Sequence, residues 1–332
     1  MIRSYFRLAG VSTLALLSLT AQHMQAQQQV PAAPPQAAAP AAPAPLAAPI
    51  FPKADPANFT APTPTAAAVN GFLQAAWGYD ENRVWQVQAI LKTQVEGLSK
   101  VVVLVADKSG KQKMAALQFF ALPDGQHIIA GDEVLPFGEH PYAADRAALQ
   151  QSADGPYRGA ADKTLELVEF ADLQCPHCKA AQPTMDKLAV DFPKARIVFQ
   201  NYPLTRIHPE ALKAASYGVC VTRQGGSTAF FQFASAVYEG QDGLTTPDGT
   251  TLTLNSAVTK AGLDPAKIAA CSATPDVLAE VQKSVKLAQS LNVNQTPMLM
   301  INGRPVPIDG VPYETIKKIV EYQAKLDGVA AQ

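Results

Sequence analysis

Cysteine is scarce in this chain: four in 332 residues, at 175, 178, 220 and 271. Cys175 and Cys178 lack a second Cys pair or a His pair at ligand spacing, and a structural zinc site needs four such ligands. The residue after Cys178 is Lys179 rather than the His that c-type haem attachment requires. No metal and no other cofactor is therefore expected. Charge of either sign is not in excess either, with 27 Lys+Arg against 28 Asp+Glu and a net charge of -1. Without a basic block there is nothing to engage a phosphate backbone, so nucleic acid is not an expected partner. Long apolar runs are missing as well. The one at residues 8–19 falls short of the roughly 20 residues that a membrane-spanning helix takes.

That run is framed as an export signal. Arg3 and Arg7 precede it and Met24-Gln25-Ala26 offers a cleavage site, so residues 1–26 read as a signal peptide, with an uncleaved anchor as the alternative. Export leads to the periplasm or another extracytoplasmic space, where disulfides persist, and the even cysteine count agrees. Residues 27–65 are Ala/Pro-rich and nearly uncharged. Such composition cannot build a core, and it reads as a disordered linker of extended polyproline character.

The pattern then changes. Residues 66–149 read as a small α+β domain: a helix over 67–77 with Phe72, Leu73 and Trp77 as apolar contacts, then strands over 84–95, 101–105, 115–121 and 127–130. Ser109-Gly110 and Asp124-Gly125 read as turns, the second a strong hairpin signal. One helix on an antiparallel sheet is the expected packing. Residues 150–330 form the second domain, with Gly155 and Pro156 near its start.

Within it, Cys175-Pro176-His177-Cys178 stands between a strand-like run at 164–170 and a helix-like run at 179–192, where Leu188, Val190 and Phe192 are candidate apolar contacts and Pro183 kinks the first turns. Two cysteines two residues apart at a helix N-terminus can close a small disulfide and reopen it. Unpaired backbone N–H groups and the helix dipole favour the first thiolate, which is the species that attacks disulfides. A permanent structural disulfide is the rival reading, but so short a loop gains little from chain entropy. Cys175 is expected as the exposed nucleophile and Cys178 as the shielded resolving thiol. A protonated His177 between them would stabilise the thiolate further. His208 with Pro209 reads as a helix start.

The stretch from Val168 to Lys179, Val-Glu-Phe-Ala-Asp-Leu-Gln-Cys-Pro-His-Cys-Lys, resembles the strand, active-site turn and first helix of the DsbA-like thioredoxin-fold proteins of the cell envelope. A second mark is Gln295-Thr296-Pro297-Met298-Leu299; in that family a cis peptide bond at this place faces the cysteines. The resemblance implies an α/β thioredoxin fold with a helical insertion, and a substrate-pairing role for the backbone at Thr296 and Pro297. It places Glu169 where relatives carry a buried acid beneath the second cysteine, able to take the Cys178 proton. Strand alternation alone leaves Glu169 open, because the faces Leu165/Leu167/Glu169 and Glu166/Val168/Phe170 both mix apolar and acidic residues. It also implies a structural disulfide between Cys220 and Cys271, against two buried free thiols, stabilising by about 4 kcal/mol in the chain-entropy model. Helices over 209–221, 228–238, 256–261 and 275–291 fit the insertion.

The segment around Leu122-Pro123-Asp124-Gly125 is similar to the small cystatin-like domain of DsbC- and DsbG-type isomerases, which implies a homodimer, against a monomeric shielding domain. Taken together, the expectation is an exported thiol–disulfide oxidoreductase acting on cysteine-containing exported proteins and recharged by a redox partner. His177 leans toward an oxidant. The small domain and Thr296 lean toward an isomerase or reductase, and a chaperone-like binding protein is the alternative of another class.

Overall fold

Two sets of strands organise the chain, each with its own hydrophobic core. The computed structural model describes residues 51–109 and 113–331, so the signal segment, most of the linker and the turn at Gly110 lie outside the described residues. The first set opens with α1 (Ala66–Trp77), capped by the Thr65 hydroxyl, which accepts from the Ala68 N–H at 3.1 Å. Five antiparallel strands follow in a meander: β1 (Arg83–Lys92), β2 (Ser99–Asp107), β3 (Ala115–Ala121), β4 (His127–Ala130) and β5 (Glu133–Pro136). Val69, Phe72 and Leu73 of α1 pack on Val87, Ile90, Val101, Val103, Phe119 and Ile128 of the sheet. Asp124 makes the β3–β4 turn by accepting the N–H groups of Gln126 and His127, with Gly125 at φ 68°.

The linker was expected to run to Thr65, but the packed region begins earlier. Phe59 bridges to Ile90, the Ala61 N–H donates to the Ile90 carbonyl at 3.0 Å, and the Lys92 N–H donates to the Thr60 hydroxyl at 3.0 Å. β1 is an edge strand with backbone groups to satisfy, and Phe59 and Ala61 bring apolar side chains to cover it. The expected boundary between 149 and 150 also moves, because it falls inside α2 (Ala143–Ser152). Leu149 is buried with Val168, Phe170 and Val198, so α2 belongs to the second core.

That second core surrounds a five-stranded sheet in the order β10-β9-β7-β8-β6. Its members are β6 (Tyr157–Gly159), β7 (Glu166–Ala171), β8 (Arg196–Asn201), β9 (Met298–Ile301) and β10 (Arg304–Pro307). β7 and β8 run parallel, β9 is antiparallel to β7, and every residue of both central strands is buried. Leu165 and Leu167 meet α3 (Pro176–Asp191) and α8 (Tyr313–Leu326) on one face, while Val168 and Phe170 meet α2 and α7 (Pro275–Ser290) on the other. With both faces covered, period-two alternation carries no information about which residues are inside. Pro183 does lie within α3, but Val190 is 77% exposed rather than a core contact. The core face of α3 is made by Ala181, Met185 and Leu188.

Between β8 and β9 come four helices, α4 (Ala211–Glu239), α5 (Pro247–Lys260), α6 (Pro265–Ser272) and then α7. The two helices expected over 209–221 and 228–238 are one element broken at Gly226, φ 72° and ψ -172°. α6, β5, β6 and β10 are too short to carry a strong sequence signal; α8 did carry one, Ile316, Ile319 and Val320 at helical spacing, which the sequence reading passed over and which the fold buries. Arg304 of β10 is buried and donates to the carbonyls of Ala75 and Ala76 (the latter at 3.1 Å) and to Gln323 at 3.0 Å. It thereby satisfies the carbonyl end of α1 with a cation, tying the first set of elements to the second. Among the described residues no helix is long and apolar enough to cross a membrane.

Candidate active site

β7 ends at Ala171, and four residues of turn bring the chain to α3. Cys175 is the N-cap of that helix in extended conformation, φ -75° and ψ 123°, and Pro176 is its first helical residue. Pro at this position needs no N–H partner and pre-sets the helical φ. Cys178 follows one turn inside, fully buried, while Pro176 and His177 stay exposed. Both thiols are free.

The two cysteines are pushed in opposite directions. The Cys175 thiol is pulled down from 9.0 to about 5, first by hydrogen bonding with the Cys178 thiol, then by the Thr296 side chain and by the backbone N–H groups of Cys178 and His177, which together outweigh burial. Cys178 is pushed far up by burial, by the neighbouring Cys175 and by Glu169, with only the Asp172 N–H at 3.4 Å favouring its charge. The sequence led to an exposed Cys175; instead it is 3% exposed. Its Sγ lies 3.7 Å from the Thr296 carbonyl, which the thiol donates to, and the Gln241 amide donates to the Cys175 and Leu173 carbonyls at 3.0 Å each. The helical insertion and the loop before β9 thus close over the turn. The Thr296–Pro297 peptide bond is cis.

Glu169 lies on β7 on the face that α3 covers and is 3% exposed, which removes the solvent-facing alternative. Burial pushes its carboxyl up to about 7, against the pull of Arg158 and of Gln182. The Gln182 amide donates both to Glu169 Oε1 and to the Cys178 carbonyl, each at 3.1 Å, joining the acid to the turn of helix that carries Cys178. His177 departs from its expected part. Its Nδ1 lies 2.9 Å from Asp309 Oδ2, both side chains more than half exposed, and it is the His177 backbone N–H that lowers Cys175. Cys220 in α4 and Cys271 in α6 are joined by a disulfide, as the resemblance implied. Among the described residues no group of three His, Cys, Asp or Glu is placed to hold a metal ion.

Sequence reading missed Gln182, Gln241, Asp309 and the pairing of Asp172 with His208 at 2.8 Å. Gln182 stands four residues after Cys178, the spacing at which helical side chains reach back to the previous turn, so a local signal existed. Gln241, Asp309 and His208 are more than 30 residues away from their partners, and no local pattern marks them.

This geometry agrees with what the chain is similar to. A family model described as thioredoxin matches residues 151–322, just over half of the chain. Among curated proteins, the "Na(+)/H(+) antiporter NhaA 3" of Salinispora tropica is 30% identical over 147 residues, 44% of this chain and 21% of the antiporter. The chain thus spans about a fifth of the length of that relative. A "Probable disulfide bond formation protein D" of Bacillus cereus is 24% identical over 174 residues, 50% of this chain and 77% of the relative. Among solved structures, ScsC of Proteus mirabilis in a transitional conformation shares 26% identity over 55% of this chain and 79% of its own, with a TM-score of 0.46.

Proposed function

The chain belongs to the thioredoxin family, and from that premise we propose that it is a thiol–disulfide oxidoreductase, an exported disulfide donor for cysteine-containing envelope proteins. One observation carries the direction: Cys175 is held as a thiolate down to about pH 5. A stabilised thiolate favours the dithiol form, so the Cys175–Cys178 disulfide is an oxidant. A thiolate pKa of about 7 accompanies roughly -270 mV in thioredoxin and about 3.5 accompanies roughly -120 mV in DsbA. The name of the Bacillus cereus relative, which speaks of disulfide bond formation, leans the same way.

In the donating direction a substrate thiolate attacks Cys175 Sγ of the enzyme disulfide, and Cys178 leaves with the electron pair. Glu169, pushed up to about 7, supplies the proton that Cys178 takes. A second substrate thiolate then attacks the substrate's own sulfur in the mixed disulfide and expels the Cys175 thiolate, a good leaving group because it is stabilised. Two electrons have passed to the enzyme, and a redox partner must remove them before the next cycle. The backbone at Thr296, beside Cys175 Sγ, is where an extended substrate would pair. Export is supported by Arg3, Arg7 and the apolar run that follows, and by the Cys220–Cys271 disulfide, which persists in oxidising compartments.

The test is the reduction potential of the pair after equilibration in glutathione buffers. A value between those of thioredoxin and DsbA is expected; one at or below thioredoxin's would mean a reductant. A second reading rests on Phe120 and Val134, 37% and 55% exposed, which both pair with Ile129 across β3, β4 and β5. An apolar strip on an open sheet suits client binding or self-association. Suppression of aggregation that survives Cys175→Ser would favour that reading.

A further inference from the structure

Asp172 lies outside the Cys-Pro-His-Cys motif, yet it touches both cysteines. Its carbonyl accepts the Cys175 N–H at 3.0 Å, and its own N–H donates to Cys178 Sγ at 3.4 Å. Its side chain, fully buried, is held at three points: Oδ1 accepts the Gln174 N–H at 2.8 Å, and Oδ2 accepts the Leu204 N–H at 2.9 Å and meets His208 Nδ1 at 2.8 Å. Leu204 and His208 both belong to the segment leading from β8 into α4. The carboxyl therefore fixes the orientation of one peptide group, and that peptide group points at the resolving sulfur.

Cys178 Sγ carries charge only while sulfur–sulfur bonds are being exchanged: as the leaving group in donation and as the nucleophile in resolution. Burial and the Glu169 carboxylate oppose that charge, and the Asp172 N–H, 3.4 Å away, favours it. A donor aimed in advance at a developing anion in a dry site acts on the transition state without reorganisation. We propose that Asp172 is a positioning residue for the resolving step: locked by His208, Leu204 and Gln174, it holds its N–H on Cys178 Sγ and so stabilises the thiolate that makes or leaves the disulfide. The proposal rests on the thiol–disulfide exchange reading above.

The experiment mixes the reduced full chain with an aromatic disulfide, dithiobis(nitrobenzoate), and follows the coloured thiolate released. Cys175 attacks one reagent sulfur, forms a mixed disulfide and expels the first aryl thiolate. Cys178, its proton surrendered, then attacks Cys175 Sγ, closes the enzyme disulfide and expels the second. Two phases thus separate attack from resolution within one trace. In Asp172→Asn an amide N–H₂ faces the Leu204 N–H or His208, the peptide loses its lock, and the second phase is expected to slow about tenfold while the first changes less than about twofold. His208→Gln, which leaves the Leu204 and Gln174 contacts of Asp172 in place, should slow the second phase by about threefold. Equal slowing of both phases, or an unchanged second phase in both variants, overturns the proposal. If Asp172→Asn fails to fold, His208→Gln decides alone. A wild-type protein that releases no second thiolate would instead strike at the exchange reading itself.

Discussion

Replacing Cys175 by Ser in the reduced protein should change how stability depends on pH, by an amount the site's geometry sets. The Cys175 thiol falls from 9.0 to about 5 on folding. An acid whose pKa is lowered in the fold contributes stability that is fully present above its unfolded value and is lost as pH falls through its folded one. Stability from this one group therefore climbs between pH 5 and 9, by about 1.4 kcal/mol for each pH step, and reaches roughly 4 kcal/mol of gain between pH 5 and 8. Serine does not titrate there, so the variant lacks the climb. Glu169, pushed up to about 7, runs the other way below neutrality, and Cys178 opposes only above its unfolded value. Glu169 is not shifted by Cys175 and cancels to first order in the difference, while Cys178, which loses a neighbour in the variant, titrates above the pH 5–8 window. Urea unfolding with a thiol reductant present, at pH 5 and pH 8, measures it, with equal m-values as the check that the unfolded states match. The gap between the proteins should widen by roughly 4 kcal/mol from pH 5 to pH 8. A gap that widens by less than about 1 kcal/mol would refute the account of the thiolate and, with it, the reason for reading the pair as an oxidant.

Glu169→Gln should behave oppositely. The Glu169 carboxyl rises from 4.5 to about 7 on folding, so its contribution is full below 4.5 and lost as pH rises through 7; at pH 8 the variant should gain about 3 kcal/mol on the wild type relative to pH 4, read by the same urea curves. Cys220→Ser with Cys271→Ser opens a loop of 51 residues, which should cost about 4 kcal/mol and lower Tm by roughly 10 °C, with the Cys175–Cys178 potential unchanged. Arg304→Met leaves the Ala75 and Ala76 carbonyls without their donor and should destabilise by about 2–4 kcal/mol. Limited proteolysis should then cut the variant first between Trp77 and Arg83, where α1 is no longer tied down.

The cysteine motif and its place between strand and helix were readable from the chain alone, because they depend on residues within a dozen positions of one another. The strands from 101–105 to 127–130 and the long helices were legible for the same reason: period and turn residues are local. The Cys220–Cys271 bridge was legible through likeness to relatives and through the oxidising compartment that an export signal implies, not through a local pattern. Tertiary structure alone decided the rest. Burial of Glu169 depended on α3 covering one face of a strand whose other face was covered too, so alternation had nothing to report. Val190 looked like a core residue until the rotation of α3 put it in solvent. The short elements β6, β10 and α6 exist because they pair with or pack on neighbours, not because of their own propensity. Cys175 became a covered thiol, and Asp172, His208, Gln241 and Asp309 became its surroundings, through contacts between segments tens to more than a hundred residues apart. A local pattern cannot encode such contacts, since they arise only when the helical insertion and the loop before β9 fold back onto the turn.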